Sequence, residues 1–285
     1  MTTTSHAAAA GTGGRNLMLR VASAAVLVPL VTALAYLGGW SFLILCALGS
    51  GAILWEWTRL VAGVPRYTVL APGWASLLAA VVLTGIDKPG LAVTALAIGA
   101  ALAAIGAARW LPPRSLWAAG GVIYAGVAFL GPALLRRDAE LGFAAFLFLA
   151  ATVWTTDTLA YFVGRAVGGP LLWPRVSPNK TWSGVVGGLA GGVVAGVLVA
   201  YASAGTHPVA AGVLALILSI SAQGGDLLES SVKRRFGAKD TSALIPGHGG
   251  VMDRVDGFLV AALIAVLIGV LRFGAADAAR GLLLW

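Results

Sequence analysis

Long apolar stretches broken by short polar connections set the pattern of this chain, and no segment alternates with the period of two of a strand. A helix needs about 20 apolar residues to cross the hydrocarbon of a bilayer, where it satisfies its own backbone hydrogen bonds. The first run, Val21 to Trp55, is free of charge over 35 residues, and Gly38-Gly39 divides it into two crossings joined by a tight turn. Further spans fall at about 67–86, 89–108, 115–135 and 141–164. The run from Thr181 to Gly225 is again of double length, and Ser203 to Pro208 splits it. A last span covers about 256–274. The expectation is an all-α polytopic membrane bundle of about nine transmembrane helices.

Composition agrees with this reading. Mean hydropathy is +0.91, and 11% of residues are charged, against about a quarter in soluble domains. Residues 1–14 read as a disordered tail, 15–140 as N-terminal transmembrane helices, 141–274 as a C-terminal catalytic region and 275–285 as an apolar tail at the interface. Arg15 and Arg20 before an apolar run ending in Ala33-Leu34-Ala35 also have the form of a cleavable signal peptide, although a further span follows at once. Cys46, the single cysteine, permits no intrachain disulfide.

Charge orients the helices. With the N-terminus in the cytoplasm, one side carries Arg15, Arg20, Arg59, Arg66, Arg109, Arg114, Arg165, Arg175, Lys180, Lys233, Arg234, Arg235, Lys239 and Arg254. The other carries Lys88, Arg136, Arg137, Arg272 and Arg280, so the bias follows the positive-inside rule. The net charge of +8 is spread over short loops, with no folded basic domain to bind nucleic acid. The expected location is the cell membrane, with the charged centre facing the cytoplasm.

That centre is Ser231 to Asp256, where charged residues and a histidine crowd into one connection. Just upstream, Asp226, Glu229, Ser230 and Lys233 fall on one face of a helix, a polar stripe at the end of an apolar span. Asp253 and Asp256 stand three apart at the entry to the last span. Asp226, Asp253 and Asp256 are hard oxygen ligands of the kind Mg²⁺ takes. Opposite them stand Lys233, Arg234, Arg235, Lys239 and His248, the last in a glycine-rich turn with Gly249 and Gly250 whose backbone N–H groups suit an anion. Cations beside metal-binding carboxylates are the apparatus of phosphoryl transfer. Attraction to anionic lipid explains the arginines but not the interleaved Asp240, Asp253 and Asp256. Asp157, inside the sixth span, requires a cation or a hydrogen-bond partner there. Ser177 and Lys180 sit in the following loop.

Gly187, Gly188, Gly191, Gly192 and Gly196 form a small-xxx-small pattern that brings helices close and permits a homodimer. There is no P-loop glycine run before Lys180-Thr181.

These residues resemble a known family. Ser231-x-Lys233-Arg234, Lys239-Asp240, Pro246-x-His248-Gly249-Gly250 and Asp253-Arg254-x-Asp256 are similar to the signature of the phosphatidate cytidylyltransferases, also called CDP-diacylglycerol synthases. Gly225-Asp226-Leu227-x-Glu229-Ser230, Thr156-Asp157 with Ala160-Tyr161 and Gly164-Arg165, and Ser177-Pro178-x-Lys180-Thr181-Trp182 fit the same pattern. The match spans about 150–257. Ser183 stands where the family usually has Glu, which puts an acidic role there in doubt, and Gly257 where Ser is common.

The resemblance implies that CTP and phosphatidic acid give CDP-diacylglycerol and pyrophosphate with Mg²⁺, a second cation being possible. It implies Asp226, Lys233, Lys239, Asp253 and Asp256 in catalysis, the three aspartates holding metal. Asp157, Ser177, Lys180, Ser230, Arg234, Asp240, His248, Gly249, Gly250 and Arg254 would bind substrate. An isoprenoid-lipid cytidylyltransferase or a lipid-alcohol kinase could share this apparatus. A cation-coupled transporter using Asp157 and Asp226 would leave the basic loop without a role.

Overall fold

The computed structural model describes residues 23, 25–245 and 249–285. The expected N-terminal tail, Arg15, Arg20 and His248 lie outside the described residues. The chain is a helical bundle with elements α1 (Ala25–Leu37), α2 (Gly39–Ala62), α3 (Tyr67–Gly85), α4 (Pro89–Ala108) and α5 (Ser115–Arg136). A second group follows: α6 (Gly142–Val167), α7 (Trp182–Ala204), α8 (Pro208–Arg235), α9 (Met252–Phe273) and the short α10 (Ala278–Leu283). Eight helices, α2 to α9, are long and apolar enough to cross a membrane; α1 is a shorter apolar helix among the described residues.

The turn expected at Gly38-Gly39 is present, with φ of 65° and 53° at the two glycines, values that cost residues with a Cβ dearly. Arg136, at the end of α5, donates to the carbonyls of Ala35 and Tyr36 and secures that turn.

Two spans are longer than the apolar pattern indicates. α2 runs on past Trp55 to Ala62 and includes Glu56, and α9 begins at Met252 rather than at Asp256. In both cases the polar residues inside the helix are met by partners from distant parts of the chain, so the helix has no reason to stop at them. Part of the segment after α9 packs into the bundle. Leu282 and Leu283 are fully buried, and Arg272 donates to the carbonyl of Gly281 at 2.6 Å and of Leu284 at 3.0 Å.

The glycine spine of α7 is an intrachain contact. A Cβ on Gly188 would stand 2.6 Å from the carbonyl oxygen of Thr156, and one on Gly192 2.1 Å from the Thr156 hydroxyl, so α6 and α7 touch backbone to backbone. Thr156 also bonds Ser219 of α8 at 2.8 Å, tying three helices together in the apolar interior. Between α6 and α7 lies a small antiparallel hairpin, β1 (Leu171–Trp173) with β2 (Ser177–Thr181). Thr181 ends β2 and caps α7 by accepting from the N–H of Gly184 at 3.2 Å.

These connections place the C-termini of α2, α6 and α8 and the N-termini of α7 and α9 at one end of the bundle.

Candidate active site

A cavity of about 750 Å³ opens at that end, lined by Asp157 and Tyr161 from α6, Lys180 from β2, Asp226 and Lys233 from α8, and Asp253, Arg254 and Asp256 from α9. Asp240, from the loop after α8, also borders it. Five aspartates separated by up to 99 positions therefore face one space.

The cations divide among them. Lys180 Nζ lies 2.5 Å from Asp226 Oδ2, across the junction of hairpin and α8. Ser230, one turn on, donates to Asp226 Oδ1 at 3.3 Å. Lys233 is mostly buried and lies 2.6 Å from Glu229 Oε2 and 2.8 Å from Asp253 Oδ1. The polar stripe read along α8 is therefore real, but Lys233 serves Glu229 and Asp253, while Asp226 is matched by Lys180.

Asp253 is the hub of the loop between α8 and α9. Its Oδ2 accepts from the N–H of Thr241 at 3.0 Å, the Thr241 hydroxyl at 2.9 Å and the N–H of Gly250 at 2.9 Å. With Oδ1 on Lys233, both oxygens are engaged. Gly250 must be glycine for a packing reason: a Cβ would stand 2.0 Å from the Thr241 hydroxyl and 2.7 Å from Glu56 Oε1.

Glu56, a site residue the apolar pattern did not single out, holds the same loop from the other side. Fully buried in α2, it accepts from Val251 N–H at 2.9 Å, Met252 N–H at 2.7 Å and the Ser242 hydroxyl at 2.5 Å. The signal was available: a lone carboxylate between Trp55 and Trp57 in an apolar helix is costly unless partnered.

Not every residue expected at the site reaches the cavity. Arg234 and Lys239 are exposed beside it, and Arg234 donates to the carbonyl of Ala238 at 3.1 Å. Ser177 lies in β2 away from the lining, and Gly249 pairs with Ile245 in an isolated bridge. Ser183, where an acidic residue was in question, donates to the carbonyl of Gly168 and fastens the hairpin.

Among the described residues no three His, Cys, Asp or Glu side chains are arranged to hold a metal ion. Asp253 explains part of this, since its oxygens are taken by Lys233 and the loop. Asp157, Asp226 and Asp256 differ: all three line the polar cavity, and of them only Asp226 is matched by a lysine, Lys180, in an ion pair among the described residues. Hard oxygens bordering a polar cavity fit a divalent cation that keeps one or two carboxylates and completes its shell with water or phosphate.

A polytopic membrane protein with acids and lysines gathered at one end of its bundle is built to handle a phosphorylated substrate there. The chain belongs to the cytidylyltransferase family, whose model matches residues 18–271. It is 45% identical over 257 residues to the phosphatidate cytidylyltransferases of Brucella abortus biovar 1 (strain 9-941) and Brucella melitensis biotype 1, a match covering 89% of this chain and 93% of each relative. The phosphatidate cytidylyltransferase of Bacillus subtilis (strain 168) is 36% identical over 138 residues, 48% of this chain and 51% of that protein.

Proposed function

We propose that this chain is a phosphatidate cytidylyltransferase, joining CTP and phosphatidic acid to give CDP-diacylglycerol and pyrophosphate. The observation that carries the reading is the convergence of Asp157, Asp226, Asp253 and Asp256 with Lys180, Lys233 and Arg254 on one cavity at the bundle end. The likeness to the Brucella relatives over nearly the whole chain supports it.

In the reaction an oxygen of the lipid phosphate attacks the α-phosphorus of CTP. A new phosphoanhydride bond forms, the bond from the α-phosphorus to the bridging oxygen of the β-phosphate breaks, and pyrophosphate leaves with the electron pair. The attacking oxygen is already ionised at neutral pH, so the protein need not supply a strong base. Positioning and charge neutralisation carry the catalysis. Lys180 and Arg254 neutralise phosphate oxygens at the cavity wall, and the incoming phosphate takes Lys180 from Asp226, leaving that carboxylate free. Lys233 holds Asp253, and Asp253 holds the loop that brings Arg254 and Asp256 into place. Asp226 and Asp256 would hold Mg²⁺, with Asp157 beside them; when bound, that ion would neutralise charge on the phosphates. Ser230 orients Asp226, while Asp240, Arg234 and Lys239 give the entrance a mixed charge suited to a nucleotide.

The site faces the cytoplasm, where CTP is found, consistent with the excess of Lys and Arg at that end. Residues 141–274 form the catalytic region, and 15–140 buttress it through Glu56.

The test is direct. Purified protein given CTP and phosphatidic acid with Mg²⁺ releases pyrophosphate and forms CDP-diacylglycerol, and chelation stops both. Turnover with an isoprenoid phosphate or a lipid alcohol, and none with phosphatidic acid, refutes the assignment.

A further inference from the structure

A second cavity, of about 360 Å³, lies beside the first and is almost wholly apolar. It opens between α1, α2, α6 and α9, and Arg254 lines both cavities. The arrangement follows from α9. Asp253 and Asp256 face the polar cavity, whereas Val251, Val255 and Phe258, spaced four and three apart, line the apolar one. Phe258 packs edge-on to Phe146, and Phe146 to Phe42, with ring centroids 6.1 and 5.5 Å apart. Ser50 lines the same space, 1% exposed, and its hydroxyl has no hydrogen-bond partner among the described residues.

We propose that this apolar cavity seats an acyl chain of the lipid substrate, with Arg254 at the junction where chain and phosphate part. The inference rests on the functional reading above and adds where the lipid lies. A molecule with an anionic head and an apolar tail is the chemistry that fills two such adjoining spaces at once. Burial of methylenes against Phe42, Phe146 and Phe258 supplies affinity without fixing orientation, and the arginine fixes the head. The Ser50 hydroxyl, which lacks an acceptor among the described residues, meets one in the ester carbonyl of a diacyl lipid.

Gly49 provides the test. It lines this cavity, and a Cβ placed on it meets nothing within 4 Å, so a side chain can be introduced there without a clash at its root. In Gly49→Phe the KM for dioleoyl phosphatidate is expected to rise about tenfold or more. The KM for dihexanoyl phosphatidate, the KM for CTP and kcat at saturation stay at wild-type values. If long and short lipids respond alike, the seat is not here. In the wild-type enzyme, phosphatidate with a photoreactive acyl chain is expected to label residues 27–53 or 251–259, in competition with unlabelled phosphatidate. Labelling elsewhere only, or equal labelling by a phosphatidylcholine probe that phosphatidate does not displace, overturns the proposal in favour of an unselective lipid site. Pyrophosphate release from wild-type enzyme with no chain-length change in Gly49→Phe rejects the seat alone. No release from wild-type enzyme with any phosphatidate rejects the functional reading and the seat together.

Discussion

Glu56 and Met252 are 196 positions apart, and the carboxylate of one accepts the backbone N–H of the other at 2.7 Å. The contact joins the N-terminal helices to the first turn of α9, where Asp253, Arg254 and Asp256 follow in sequence. Glu56 sits at the unsatisfied amino end of that helix, where a negative charge is favoured. The same carboxylate takes the Ser242 hydroxyl, so it fixes the middle and the far end of the loop that frames the cavity.

Glu56→Gln places an amide group where two oxygens now accept, so at least one donor of the loop loses its acceptor. Hydrogen bonds to a charged group contribute about 1.5–3 kcal/mol each, and a loss of about that size is expected. Thermal melting in detergent should show it, together with a fall in kcat as α9 loses its anchor. A variant with wild-type melting and turnover would remove Glu56 from the account.

Asp226 and Asp253 are expected to separate stability from activity. The Asp226 side chain is about a third exposed and meets Lys180 across the cavity, so Asp226→Asn should melt like the wild type while kcat falls by about 10²-fold or more. The Asp253 side chain is only 6% exposed and holds Lys233 and the loop, so Asp253→Asn should lose both. Paired melting curves and initial rates decide between the two roles, and identical behaviour of the two variants contradicts them.

Lys233→Met leaves Glu229 and Asp253 without their shared cation in a site where both are nearly inaccessible to solvent. Removing one partner of a buried ion pair costs about 3–5 kcal/mol. The expected result is poor yield or a sharply lowered melting temperature, partly restored by Glu229→Gln in the same chain. If the second substitution restores nothing, Glu229 and Lys233 are not coupled as drawn.

At the opposite end of the bundle Asp138 caps the start of α6. It accepts from the N–H groups of Glu140 and Leu141 at 2.9 and 2.7 Å, and from Arg280 at 2.8 Å. Burial pushes its carboxyl up, but these donors outweigh burial and hold it below the usual carboxylate range. A depressed folded pKa means the stabilisation is complete above the unfolded value, about 3.9, and is lost as pH falls through the folded one. Melting temperature should therefore drop as the buffer is taken below about pH 4. In Asp138→Asn that part of the acid dependence should be absent.

Much of this could be read before folding. Apolar run lengths gave the crossings, because lipid admits little but self-satisfied helices. The polar stripe of Asp226, Glu229 and Lys233 and the pair Asp253 and Asp256 declared themselves by standing where charge is costly. Glu56 escaped because the charge-free run stops at Trp55, and a helix was expected to stop with it.

The order of residues thus determined the bundle and the chemical types at its charged end, since both follow from local spacing and the expense of polarity in hydrocarbon. Which charge meets which was decided only by tertiary packing. Lys180 reaches Asp226, Lys233 takes Glu229 and Asp253 together, and Glu56 crosses the chain to hold Met252. Contacts between elements far apart in sequence depend on how close helices approach, and here the glycine face of α7 sets that distance to α6.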